Sequence, residues 1–421
     1  MTQNFLKAIY HIETPWPLEV AAEAIAGEQS TGTFIRLPGE TDEIRDRYRA
    51  RVERITPMGT VDTPSLSGCK PPKNAPKPVR YQRAELEISW PLETVGTELT
   101  TVISTVAGNL YELKEFSGLK LMDITLPDAM AKYYKGPAFG TEGTRQLTGV
   151  YNRPIIGTIV KPSVGFTPAQ TAELVKMLAE AGIDFIKDDE LMANPPHSPF
   201  KDRVEAVMNV INAHADKTGK KVMFAFNVSN EIDTMLRQHD IVKNAGGTCV
   251  MVSLNSVGVS GVSHLRKHSA LPIHAHRNGW GMYTRHPFLG ISFTAYQKIW
   301  RTAGVDHIHV NGLQNKYWEP DDSVITSINA CRTPLFGGFP IMPVVSSGQW
   351  AGQAPETYKR TGTVDLMYLC GGGIMAHPQG PAAGLASLHQ AWEAAITGKD
   401  LHAFAKTHQE LQQAIDLYSK V

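Results

Sequence analysis

Signals for disulfides, membranes and nucleic acid are all missing from this chain. Its four cysteines, Cys69, Cys249, Cys331 and Cys370, show no CxxC spacing, which speaks for reduced thiols in a cytoplasmic protein. No apolar stretch approaches membrane-spanning length, and Met1 to Ala8 lack the basic and then apolar segments of a secretion signal. Lys and Arg number 41, Asp and Glu also 41. A formal charge of zero supplies no basic field for nucleic acid, so any anion recognition must be local. Low-complexity and short-period repeats are absent too. What remains is a soluble cytoplasmic enzyme or binding protein, and 421 residues suffice for two or three domains with a large core.

The most informative stretch is Phe185-Ile-Lys-Asp-Asp-Glu190, where an apolar run ends in one amine and three carboxylates. Ile183, Phe185 and Ile186 read as a short buried strand. Strand alternation puts Lys187 and Asp189 on one face and Asp188 on the other, and Glu190 can swing toward Lys187 where the strand ends. Two carboxylates and one more oxygen donor suit Mg2+, and a lysine supplies that oxygen only as a carbamate. The plain alternative is a set of solvated charges closing a strand.

Residues 1–135 mix strand-like runs (Ala8 to Thr14, Ala84 to Trp90) with helical ones (Leu18 to Ala26, Ile44 to Val52), an α+β domain. Lys70 to Pro78 is proline-rich loop. Glu28-Gln-Ser-Thr-Gly-Thr-Phe34 is a hydroxyl-rich turn or a helix C-terminus.

From Arg153 onward, strands and helices alternate. The strand candidates are 155–161, 185–190, 222–228, 249–255, 272–277, 307–311, 342–346 and 366–369. Eight such units within 136–421 have the length and order of a (β/α)8 barrel, with an open doubly wound sheet as the other architecture. In such barrels, chemistry collects at the C-terminal strand ends. Here those ends carry Lys161; Lys187, Asp189 and Glu190; Asn227; His276 and Arg277; His309; Ser346 and Ser347; and Gly371 to Gly373. So many ionisable groups at one face argue against mere strand closure. Single residues keep alternatives: His309 as a core histidine, His307 as structural, Arg277 as a surface ion-pair residue, the glycine run as a flexible turn. An arginine fork suits phosphate or carboxylate, and bare glycine amides after a late strand cradle phosphate.

With these residues the chain resembles the large subunit of ribulose-bisphosphate carboxylase (RuBisCO), and more closely the RuBisCO-like proteins. The resemblance rests on Glu28-Gln-Ser-Thr-Gly-Thr33, Gly108-Asn109, Ile159-Val-Lys-Pro162, Asp184 to Glu190, His274-Ala-His-Arg277, Asp306-His-Ile-His309 with Lys316, Ser346-Ser-Gly348 and Gly371-Gly-Gly373. It implies a (β/α)8 barrel preceded by a smaller, ferredoxin-like α+β domain. It further implies Lys187 as a CO2-derived carbamate holding Mg2+ with Asp189 and Glu190, Lys161 as the proton-transfer lysine, and His276 as an acid/base or polarising group. Arg277, His309 and Ser346 would bind one phosphate; Thr33, Gly348, Gly371 and Gly372 would bind another. Glu28 and Asn109 would reach the site of a partner subunit, making a homodimer with shared sites and no small subunit. Lys316 would be the mobile-loop lysine that meets CO2 or a carboxylate.

Departures from the carboxylases shape the expected activity. Lys161-Pro162-Ser163 stands where they carry Lys-Pro-Lys, Phe34 replaces a tryptophan, Ser347 replaces a glycine, and the loop 310–318 lacks their Gly-Lys-Leu-Glu ending. Photosynthetic carboxylation is therefore not expected, and Ser347 puts the second phosphate site in question. The resemblance implies instead Mg-dependent enediolate chemistry, decarboxylating a branched 3-oxo sugar-acid phosphate of the 3-oxo-isoapionate 4-phosphate type. The methionine-salvage enolases of the family lack the His-Arg pair and the loop lysine, both present here as His276-Arg277 and Lys316. An enolase or isomerase of a methylthio sugar phosphate and a non-catalytic sugar-phosphate binder are the other readings.

Overall fold

The structure is a computed structural model that describes residues 4–32 and 37–420. Thr33 and Phe34 lie outside the described residues. The chain divides into two compact units, one of residues 1–135 with 279–300, the other of 136–278 with 301–421.

The smaller unit is a five-stranded sheet. Strands β1 (Phe5–Thr14), β2 (Arg51–Val61), β3 (Tyr81–Pro91) and β4 (Gly118–Thr125) are antiparallel in the ferredoxin-like order β4-β1-β3-β2. Leu6, Ala8, Tyr10 and Ile12 alternate inward and are fully buried, as period-two patterning requires. The sequence reading carried a helix through Ile44 to Val52; the helix instead spans Asp42–Tyr48 and Arg51 begins β2. β2 is an edge strand, mostly exposed and interrupted around Pro57 and Gly59, so it shows no apolar alternation to read.

The larger unit is a closed barrel of eight parallel strands. They are β5 (Ile155–Ile159), β6 (Phe185–Lys187), β7 (Met223–Asn227), β8 (Cys249–Ser253), β9 (Ile273–His276), β11 (His307–His309), β12 (Met342–Val345) and β13 (Met367–Leu369). The intervening β10 (Leu289–Ile291) pairs in parallel with β4 of the smaller unit's sheet. Alternate barrel residues, among them Ile155, Phe185, Met223, Met251, Met342 and Leu369, form the barrel's apolar core. Gly157 admits the bulk of Phe185 beside it: a Cβ there would stand 2.6 Å from the Phe185 carbonyl oxygen. Helices close each unit with ordinary signals; Pro168–Glu180, for example, starts on a Thr167/Gln170 capping box.

Candidate active site

Two buried aspartates flank Lys187 in sequence and fix its strand. Asp184 accepts hydrogen bonds from Arg153 NH1 at 2.5 Å, Lys220 Nζ at 2.7 Å and the Ile156 amide at 2.9 Å. Burial alone would raise its pKa, but those two cations hold its carboxyl below the ordinary value. Asp188 turns away from the reaction face and takes Arg203 NH2 at 3.2 Å and the Asn227 amide at 3.0 Å. Both charges of the Asp188–Arg203 pair are fully enclosed.

Between these pins, β6 aligns Lys187 with Ile159 on one side and Ala225 on the other. The Lys187 amine is buried, donates to the Asp188 carbonyl at 2.8 Å and lies 3.9 Å from a Glu190 oxygen. Burial pushes its pKa down against the pull of Glu190 and Asp189. A neutral amine is the form that adds to CO2, and a lowered pKa makes that form more accessible.

Lys161, just past β5, donates to Asp189 at 2.9 Å and to the Ser163 hydroxyl at 2.5 Å. Burial would raise the Asp189 carboxyl, and the hydrogen bond and charge of Lys161 overturn that and lower it. At the end of β9, His276 Nε2 stands 3.5 Å from Glu190. Burial, reinforced by the positive charge of Lys187, lowers the His276 pKa to about 3, which keeps the ring neutral. Lys161, Lys187, Asp189, Glu190 and His276 thus converge from three strand ends.

A row of imidazoles follows. His276 and His309 rings meet edge to face with centroids 4.5 Å apart. His309 Nε2 lies 2.9 Å from His274 Nε2, and His274 Nδ1 lies 3.4 Å from His307 Nδ1. The row terminates on hydroxyls, Ser346 at 3.0 Å from His309 Nδ1 and Thr144 at 2.8 Å from His307 Nε2. Burial lowers the pKa of all three rings, that of His307 to about 3. His309 therefore belongs both to the core and to the site through Ser346.

Arg277 is buried rather than superficial and donates to Glu319 at 2.9 Å. Glu319 was not anticipated: it lies in the loop between β11 and the helix Asp321–Arg332, with no periodic signal around it. It also accepts from Asn311 at 2.5 Å and from Ser323 at 2.8 Å. Gly348 borders Lys316: its Cβ, if present, would stand 3.4 Å from the Lys316 amide nitrogen. Gly371 borders Lys161, with 3.7 Å from the same construction to the Lys161 Cε. Gly372 opens a short helix, Gly372–Met375.

In the smaller unit, Asn109 Nδ2 lies 3.5 Å from Glu28 Oε1, so these two residues, 81 apart in sequence, are brought together.

The donor set of Lys187, Asp189 and Glu190 fits a hard cation once Lys187 carries a carbamate, since an oxygen donor then replaces the amine beside the two carboxylates. Positive charge already stands against the carboxylates, Lys161 on Asp189 and Lys187 near Glu190. Elsewhere among the described residues, His239, Asp240 and His268 form a cluster of metal-ligand type. Both imidazoles share one Asp240 oxygen at 3.0 and 2.8 Å, which are hydrogen-bond distances, and the cluster sits on outer helices away from the strand ends.

Comparison with known proteins bears on the same residues. Residues 140–418 match the family described as ribulose bisphosphate carboxylase large chain, catalytic domain, and residues 4–130 match its N-terminal domain. A Rhizobium etli protein named 3-oxo-isoapionate-4-phosphate decarboxylase is 50% identical over 97% of this chain and 98% of its own. A Xanthobacter autotrophicus protein named 3-oxo-isoapionate-4-phosphate transcarboxylase/hydrolase is 49% identical over 98% of both chains. The crystal structure of a rubisco-like protein from Burkholderia fungorum superposes with a TM-score of 0.91 at 43% identity, covering 99% of this chain and all of the other. This chain belongs to the ribulose bisphosphate carboxylase large-chain family, among its RuBisCO-like members.

Proposed function

We propose that the protein decarboxylates a branched 3-oxo sugar-acid phosphate of the 3-oxo-isoapionate 4-phosphate type. The observation that carries this is the placing of Lys161 against Asp189, beside the buried Lys187, in a chain that also keeps Lys316. The name of the Rhizobium etli relative supports the substrate. Mg2+ held by a Lys187 carbamate, Asp189 and Glu190 would supply Lewis-acid polarisation of the substrate ketone.

The chain's own residues do the rest. Lys316 meets the substrate carboxylate and orients it; the bond from that carboxyl to the adjacent carbon breaks, CO2 leaves, and the bonding pair passes toward the ketone. The Lys161 ammonium then delivers a proton to the carbon that lost CO2, with Ser163 and Asp189 holding the amine in place. Neutral His276 donates or accepts a hydrogen bond without adding charge. Arg277, His309 and Ser346 bind the phosphate, with Gly348, Gly371 and Gly372 lining the opposite end. Ser163 in place of a second lysine leaves the carboxylase's CO2-fixing triplet incomplete. Glu28 and Asn109 act on a partner's site, which makes the working unit a homodimer with shared sites.

A second reading, transfer of the carboxyl group and hydrolysis of the transferred product, is favoured only by the Xanthobacter autotrophicus relative's name. The test is CO2 release from 3-oxo sugar-acid 4-phosphates, with and without preincubation in bicarbonate and Mg2+, with products followed by NMR in D2O. Release that requires preincubation and disappears in Lys187→Met is the expected result. No release, with solvent deuterium entering a methylthio diketone phosphate instead, would overturn the proposal in favour of an enolase.

A further inference from the structure

Lys316 stands in the loop 310–320, and this loop is tied down along its length. The Lys316 amide donates to the Ser347 carbonyl at 3.2 Å. The Ser347 hydroxyl donates to Asn311 Oδ1 at 2.8 Å, and Gln349 Nε2 donates to the Leu313 carbonyl at 2.9 Å. Asn311 continues through Glu319 to Arg277. Gly312 admits the Gln349 side chain, which would lie 2.2 Å from a Cβ at that position.

Of the two residues joining the loops, Ser347 is backbone-strained, whereas asparagine tolerates the left-handed region. Asn311 has φ 64° and Ser347 φ 75°, both left-handed. Glycine would adopt either angle freely, and serine there is disfavoured. What glycine lacks is a side chain; here the two side chains meet in one hydrogen bond, and Asn311 makes a second to Glu319. Strain held at a functional loop in return for one contact points to the contact.

We infer that Ser347 and Asn311 form a clasp that holds the Lys316 loop in place before substrate arrives, making them positioning residues for Lys316. The functional consequence rests on Lys316 acting in decarboxylation; the clasp itself does not.

The experiment compares Ser347→Gly with Ser347→Ala, and uses Asn311→Gly as an independent second site. Both Ser347 variants lose the hydrogen bond, but only alanine keeps the strained backbone. Hydrogen–deuterium exchange of residues 311–319 in the substrate-free protein should rise up to about tenfold in both, the worth of one hydrogen bond. The kcat for CO2 release should fall by a similar factor in both, with KM changing less. The thermal midpoint should drop for alanine and hold or rise for glycine. Activity that follows the thermal midpoint, or unchanged loop exchange in Ser347→Gly and Asn311→Gly, would overturn the clasp. Faster loop exchange alongside full turnover by Lys316→Met would instead leave the clasp standing and remove the decarboxylase role of Lys316.

Discussion

Lys161 and Asp189, on loops after neighbouring strands, are joined by a 2.9 Å hydrogen bond between a lysine amine and a buried carboxylate. The proton donor of the proposed reaction and a proposed cation ligand therefore neutralise each other. A cation bound by Asp189 would compete with the Lys161 ammonium for that carboxylate.

Lys161→Met should reduce kcat for CO2 release by about 10²- to 10⁴-fold, the usual worth of a positioned proton donor. Because the competing ammonium is gone, Mg2+ binding in the presence of bicarbonate should tighten, as read by calorimetry. Turnover within a few fold of the parent would exclude Lys161 as the donor.

Lys316→Met should lower kcat by about 10²-fold, the scale of a reacting group displaced from its productive geometry. Substrate deuterium exchange at the adjacent carbon, if any is seen, should not fall in parallel. An enolase would tolerate the change, so retained turnover decides against decarboxylation.

Asp184→Asn should cost about 1–3 kcal/mol at neutral pH, the worth of hydrogen bonds to a charged group. The folded pKa of Asp184 lies below its unfolded value, near 3.9. Its stabilisation is therefore complete above that value and is lost as pH falls through the folded pKa. Denaturant midpoints of parent and variant should differ at pH 7 and converge in acid; a gap that persists in acid would contradict this.

Arg203→Met leaves Asp188 enclosed without its cation and should destabilise by about 3–5 kcal/mol. Adding Asp188→Asn should recover part of that loss, a coupling measurable by chemical denaturation. Simple additivity would mean that the pair contributes no interaction.

The barrel was legible because eight short apolar runs alternate with helical segments, and its strand-end residues because charged groups directly after such runs are rare. Lys187, Asp189, Glu190, His276 and Arg277 were found in that way. Their partners were not. Arg203 lies 15 residues beyond Asp188 and Glu319 lies 42 beyond Arg277, and only folding makes such separations meaningful. Strand β2 was hidden because an exposed edge strand has no apolar face. The attachment of β10 to the smaller unit's sheet was hidden because three residues carry too little pattern.

The imidazole row has a direction that its distances alone do not show. Thr144 gives its hydroxyl hydrogen to the Gly140 carbonyl, so toward His307 it can only accept. His307 therefore carries its hydrogen on Nε2 and, being neutral, leaves Nδ1 bare for His274. His274 in turn leaves Nε2 bare for His309, and His309 leaves Nδ1 bare for Ser346. The Ser346 hydroxyl must donate inward. A carbonyl oxygen at one end of the row thus fixes which way a hydroxyl points at the other, and an arriving phosphate meets an oxygen lone pair at Ser346 unless the whole row reverses or takes up one proton.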